Sequence, residues 1–218
     1  MKDSVKFQVD LLIDRYPALE VCKESIINAF YVLKECFSSG HKLLIVGNGG
    51  SCSDAEHIAG ELMKSFKMPR KCSNEMISRL RAIDQKRGAE LGEALQKGLP
   101  TLVLSNHQSL NTAFINDVPN GGLLFYAQQV YGYGNEGDVL LAISTSGNSD
   151  NILNATVVAK ANGLKVVGLT GHDGGELARF ADVAIKAPQK ETFMVQELHL
   201  PIYHCLCLML ENHFFNIN

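Results

Sequence analysis

The chain reads as a doubly wound parallel α/β sheet flanked by helices, a three-layer sandwich with an N-terminal helical arm. Three observations lead there. Five short apolar runs end in small or polar residues, helix-period segments separate several of them, and a helical stretch precedes the first run. The runs are residues 43–46, 101–104, 139–144, 166–169 and 183–185. Each is predominantly apolar, as expected of a strand covered on both faces. Between them the patterns over 54–66, 121–131 and 150–162 predict helices, and the alternation predicts βαβ crossovers. In such sheets ligands bind at the carboxyl ends of the strands.

Ahead of the first strand, apolar residues recur at helical spacing (Phe7, Leu11, Val21, Ile26, Phe30, Leu33, Phe37), with a break near Pro17. This arm, residues 1–40, cannot join a parallel sheet and must pack on the domain or on a second copy. The stretch 67–98 is charged and rich in helix formers but poor in large apolar residues, which predicts a helical surface insertion. The last segment, Thr192 to about Phe215, sets His199, His204, Cys205 and Cys207 among Leu, Ile and Met and predicts a buried helix at a core or subunit contact.

At 218 residues and 46% apolar content, one domain spanning 1–218 is the expectation. A net charge of −3 offers no footprint for nucleic acid or an anionic membrane surface, so an anionic ligand must be held locally. The first twenty residues carry scattered charges, and no uncharged run reaches the ~20 residues of a membrane span; a cytoplasmic protein is expected. The six cysteines lack paired C-x-x-C spacing, which predicts reduced, mostly buried thiols and no structural zinc site. Cys52, at a helix start, is read as a bystander, and His172, in a glycine-rich turn, as a surface residue.

Two loops carry the anion-binding chemistry. The first strand runs into Asn48, Gly49, Gly50 and Ser51, followed by Ser53 and Asp54 as candidate helix caps. Glycines there let the chain turn sharply while backbone N–H groups and a helix N-terminus face an anion. It is neither a Walker loop nor a dinucleotide fingerprint. The second loop, Ser144, Thr145, Ser146, Gly147, Asn148 and Ser149, packs four hydroxyls into six residues, a neutral cradle that bonds phosphate oxygens without Lys or Arg. Either loop alone could be an ordinary strand-to-helix turn; together they point to a sugar-phosphate or nucleotide site.

On the helix leaving the first loop, His57 and Glu61 are four apart and share a face, a spacing that serves catalysis and an ordinary surface pair equally well. His204 lies in an apolar stretch where a charged imidazolium is costly, with Gln196 and Glu197 about two turns earlier. Helical spacing aligns Glu197 with His204 better than it aligns Gln196.

The segments LLIVGNGGS, DAEHIAGEL, DVLLAISTSGNS, GLTGHDGGELA and VQELHLPIYH resemble the SIS (sugar isomerase) domain family, whose fold is flavodoxin-like. Within it they most resemble phosphoheptose isomerases, which interconvert sedoheptulose 7-phosphate and D-glycero-D-manno-heptose 7-phosphate. The resemblance follows the chain in order, with 67–98 as the main departure. It implies that Ser51, Ser144, Thr145, Ser146 and Ser149 hold the phosphate and that Asp117, beside Asn116, binds sugar hydroxyls. It further implies Glu61 as general base, His204 as general acid, and His57, Glu61, Gln196 and His204 as ligands of a Zn2+ seen in some members. A carboxylate and an imidazole suit the proton transfers of an enediol route, and a metal on the two oxygens would act as a Lewis acid. A homotetramer with active sites between subunits is also implied. The competing readings are a non-catalytic SIS regulator binding the initiator DnaA or sensing a sugar phosphate, and an etherase of amino-sugar phosphates. The regulators lack a histidine at the position of His204, which favours an enzyme here.

Overall fold

The computed structural model describes residues 2–216. Five parallel strands, β1 (Leu43–Gly47), β2 (Thr101–Val103), β3 (Val139–Ile143), β4 (Lys165–Thr170) and β5 (Val183–Lys186), form one sheet in the order β2-β1-β3-β4-β5. Side chains along each strand alternate between two cores. Leu43, Ile45, Val139, Leu141, Ile143, Val167 and Leu169 enter one; Leu44, Val46, Leu140, Ala142 and Val166 enter the other. This period of two is why the runs read as uninterrupted apolar sequence: both faces are covered.

The larger core lies under α1 (Asp3–Arg15), α2 (Lys23–Ser38), α3 (Gly50–Met63) and α10 (Thr192–Phe215). The smaller lies under α7 (Gly121–Tyr133), α8 (Asp150–Ala161) and α9 (Leu177–Phe180). A 3₁₀ segment, Pro17–Cys22, links α1 to α2 at the break marked by Pro17. α6 (Gln108–Asp117), which buries no residue, was not foreseen.

The arm packs on its own domain: α10 lies against α1, α2 and α3. α10 has the length and mean hydropathy (1.3) of a membrane span, but more than half of that stretch is buried here, and it serves as a core helix. Among its buried residues is Glu211, paired with the equally buried Arg70 at 2.9 Å.

That pair holds the insertion. Arg70 donates to the carbonyls of Leu62 (2.7 Å) and Glu61 (3.0 Å), satisfying acceptors that the end of α3 leaves open. Glu211 accepts the N–H groups of Phe66 and Lys67, both at 2.9 Å. From this base, closed by an antiparallel bridge between Lys71 and Gln96, rises a hairpin of α4 (Asn74–Ile83) and α5 (Gln85–Ala94). Gly88 lets the two helices touch, since a β-carbon there would stand 2.4 Å from the Leu80 carbonyl carbon.

Ser53 and Asp54 do not cap α3. The cap position falls four to five residues earlier, at Gly49 with φ 54°, a left-handed turn that glycine adopts without strain and that brings the chain from strand to helix at once. Its end is also earlier, at Met63 rather than Phe66.

Candidate active site

β1 and β3 are neighbours in register, Gly47 opposite Ile143, so the two glycine and serine loops leave the sheet side by side. They enclose a cavity of about 380 Å³ lined by Asn48, Gly49, Gly50 and Ser51 from the first loop and by Ser144, Thr145 and Ser149 from the second. Thr192 and Gln196, on the first turns of α10, complete the lining with Ile143. No Lys or Arg lines it, so its donors are hydroxyls, amides and backbone N–H groups.

Internal bonds fix the cradle. The hydroxyls of Ser144 and Ser149 lie 3.2 Å apart, and Gly147 N–H donates to Ser144 Oγ, also at 3.2 Å. Gly147 has φ 68°, and a β-carbon on it would fall 2.1 Å from the Gly174 carbonyl oxygen. Asn48 and Asn151 exchange two amide hydrogen bonds of 2.9 Å, tying the first loop to α8. The Tyr126 hydroxyl donates to the Gly47 carbonyl at 2.6 Å, and burial pushes that phenol up to about 12. Ser146 points out of the cavity, exposed, where its Oγ accepts the N–H of Asn148.

A second cluster joins α3 to α10. His57 Nε2 lies 3.4 Å from Glu61 Oε1 and 3.4 Å from His204 Nε2, with the two imidazoles edge to face. Glu61 Oε2 is buried without a hydrogen-bond partner, Lys64 Nζ making only a loose ion contact at 3.7 Å. Behind His57, Nδ1 lies 3.0 Å from the Tyr203 hydroxyl, which is itself 3.2 Å from Asp54 Oδ1. Burial, reinforced by His57, holds His204 below the ordinary imidazole range. Burial also lifts Asp54, while burial and Asp54 lift the Tyr203 phenol.

The cradle and this cluster are separate in one chain. His57, Glu61 and His204 do not line the cavity; His204 faces a cleft of about 280 Å³ between α1 and α10, beside Gln8 and Arg15. Glu61 is ten residues beyond Ser51 on α3, about 15 Å of helix rise, and His204 eight beyond Gln196 on α10, about 12 Å. Asp117, at the exposed end of α6, accepts a hydrogen bond from Asn116 at 2.9 Å and does not line the cavity.

Among the described residues, no group of three or more His, Cys, Asp or Glu side chains is arranged as a metal centre. The atom pairs His57–Glu61 and His57–His204 have the spacing of adjacent ligands on a small tetrahedral ion, while Gln196 stands apart at the cradle. The cysteines are free: Cys22, Cys36, Cys205 and Cys207 are buried, with burial pushing the first three thiols up to about 11, 12 and 12.

Residues 125–209 match the SIS domain. The phosphoheptose isomerase of Helicobacter pylori (strain P12) is 37% identical over 201 residues, covering 92% of this chain and 90% of that protein. That of Aneurinibacillus thermoaerophilus is 39% identical over 181 residues, 83% of this chain and 77% of that protein.

The chain belongs to the phosphoheptose isomerase family.

A solved member, phosphoheptose isomerase GmhA from Neisseria gonorrhoeae, superposes with a TM-score of 0.72 at 29% identity over 91% of both chains. The family resemblance seen in the sequence thus extends to the whole architecture. Four features of this family member escaped sequence reading. Thr192 lines the cavity, and its only signal was a hydroxyl at a helix start. Asn151 pairs with Asn48 across two elements. Asp54 reads as a cap and Tyr203 carries no signal in the sequence, yet both stand behind His57. Arg70 and Glu211 are 141 residues apart, a contact no local pattern announces.

Proposed function

We propose that this isomerase interconverts sedoheptulose 7-phosphate and D-glycero-D-manno-heptose 7-phosphate through an enediol. The observation carrying this reading is the cluster of Glu61 and His204 around His57, with one Glu61 oxygen buried and free of hydrogen bonds. A carboxylate oxygen that no donor occupies keeps its lone pairs for a substrate proton.

The phosphate sits at Ser51, Ser144, Thr145 and Ser149, receiving their hydroxyls and the backbone N–H groups at the start of α3. Glu61 removes the proton from C1 of the ketose, the C1–C2 enediol forms, and the proton returns to C2. His204, kept neutral by burial, donates a proton to the C2 oxygen and accepts the one on the C1 oxygen. Gln196 positions sugar hydroxyls at the mouth of the cradle. Ser146 and Asp117 have weaker support, since neither lines the cavity.

Zn2+, where bound, would take His57, Glu61 and His204 as donors and would supply Lewis-acid stabilisation of the enediolate; Gln196, apart at the cradle, does not fit as a fourth donor from the same chain. The separation of cradle and cluster supports a homo-oligomer, a tetramer by family resemblance, in which one copy's acid and base serve another's phosphate site. A cytoplasmic location fits a substrate of this class. The regulatory reading is not favoured, because His204 is present and meets His57.

The test is turnover of sedoheptulose 7-phosphate by purified protein, with and without added Zn2+, beside Glu61→Gln and His204→Ala. Both substitutions are expected to abolish it. Tight binding of the sugar phosphate without turnover by the unaltered protein would overturn the assignment.

A further inference from the structure

The chain Asp54–Tyr203–His57 has a direction that its chemistry fixes. Asp54 Oδ1 is an acceptor whether the group is a carboxylate or carries a proton on Oδ2. The Tyr203 hydroxyl, with a single proton, therefore donates to Asp54 at 3.2 Å. Its remaining capacity towards His57 Nδ1, 3.0 Å away, is that of an acceptor, so Nδ1 must carry the ring proton. A neutral imidazole then presents a bare lone pair at Nε2, the atom 3.4 Å from both Glu61 Oε1 and His204 Nε2. Tyr203 is almost completely buried and packs edge to face on the His57 ring, which limits reorientation of either group.

We propose that Tyr203 is a positioning residue that, backed by Asp54, locks His57 as the Nδ1–H tautomer and turns an unprotonated Nε2 towards Glu61 and His204. The consequence is specific. An Nε2 proton on His57 would bond to the Glu61 carboxylate and weaken the base; its absence leaves Glu61 free and makes His57 an acceptor for His204 Nε2–H. Only this kinetic consequence rests on the isomerase reading. The tautomer itself does not.

Histidine-selective ¹⁵N labelling with two-bond proton–nitrogen correlation reads the tautomer directly at pH 7.5, the His57 signals being assigned by their loss in His57→Asn. The unaltered protein is expected to show Nδ1–H. Tyr203→Phe removes the acceptor and should relax His57 to a mixture. Asp54→Ala frees the tyrosine hydroxyl to donate to Nδ1 and should drive His57 to Nε2–H, a reversal that mere loss of packing would not produce. In Tyr203→Phe, kcat for the heptose phosphate should fall about tenfold with KM unchanged. Nε2–H in the unaltered protein, or Nδ1–H persisting in Tyr203→Phe, would overturn the proposal. The expected tautomers in a protein without turnover would overturn only the isomerase reading.

Discussion

Gly50 and Gln196 are in direct contact: a β-carbon on Gly50 would stand 2.5 Å from Gln196 Nε2. The first turn of α3 and the first turns of α10 therefore meet at the cradle. Gly50→Ala should push the Gln196 amide aside, and because that amide is the end of a flexible side chain, the fold should survive. The expected outcome is a KM raised about tenfold, equivalent to about 1.4 kcal/mol, with a nearly unchanged melting temperature. Steady-state kinetics beside a thermal melt check it. An unchanged KM would remove Gln196 from the substrate.

The distance between cradle and acid–base cluster leads to a mixing experiment. A cradle variant, Ser144→Ala with Ser149→Ala, and a base variant, Glu61→Gln, should each be inactive. Co-refolded or co-expressed, they should regain a measurable fraction of activity, because a mixed oligomer contains pairings in which one copy supplies an intact cradle and the other an intact base. Absence of any recovery in verified mixed oligomers would mean that each chain completes its own site.

Arg70 and Glu211 form a fully buried ion pair with further hydrogen bonds to backbone. Removing one partner strands the other charge, so Arg70→Met or Glu211→Leu should cost about 3 to 5 kcal/mol. The double variant should recover part of that loss. Urea unfolding of the three proteins measures it, and single-variant losses under about 1 kcal/mol would contradict the role assigned to the pair.

His199 is fully buried, with Nε2 donating to the Thr170 carbonyl at 3.2 Å and Nδ1 unpartnered. Burial pulls its pKa from 6.5 to about 4. The unfolded chain binds this proton first as pH falls, so the stability this neutral histidine retains above pH 6.5 is lost progressively down to about pH 4. The loss approaches about 3 kcal/mol. Stability measured against pH should fall less steeply over that window in His199→Gln than in the unaltered protein. Parallel slopes would show that folding does not lower the pKa of this imidazole.

The sheet was legible because strands covered on both faces carry apolar residues at successive positions, as β1 and β3 do throughout and β4 does over Val166–Leu169. The loops stood out because glycine and hydroxyl residues gather at two strand-to-helix junctions, and the register of β1 with β3 sets those junctions around one cavity. The start of α3 was misread, because Ser53 and Asp54 have the chemistry of caps while Gly49 supplies the geometry. α6 was missed, a short helix that buries no residue. The partners of His57 were out of reach for a different reason. Asp54 and Tyr203 are 149 residues apart, and only packing of α10 against α3 brings them together.

The cradle of hydroxyls and backbone N–H groups contains no side-chain cation. Long-range attraction therefore contributes little to the encounter with a dianionic sugar, on a molecule whose own formal charge is −3. Recognition begins only at contact distance. Affinity for the phosphate is accordingly expected to vary little with ionic strength, so that a ligand held there would be selected by how long it stays rather than by how fast it arrives.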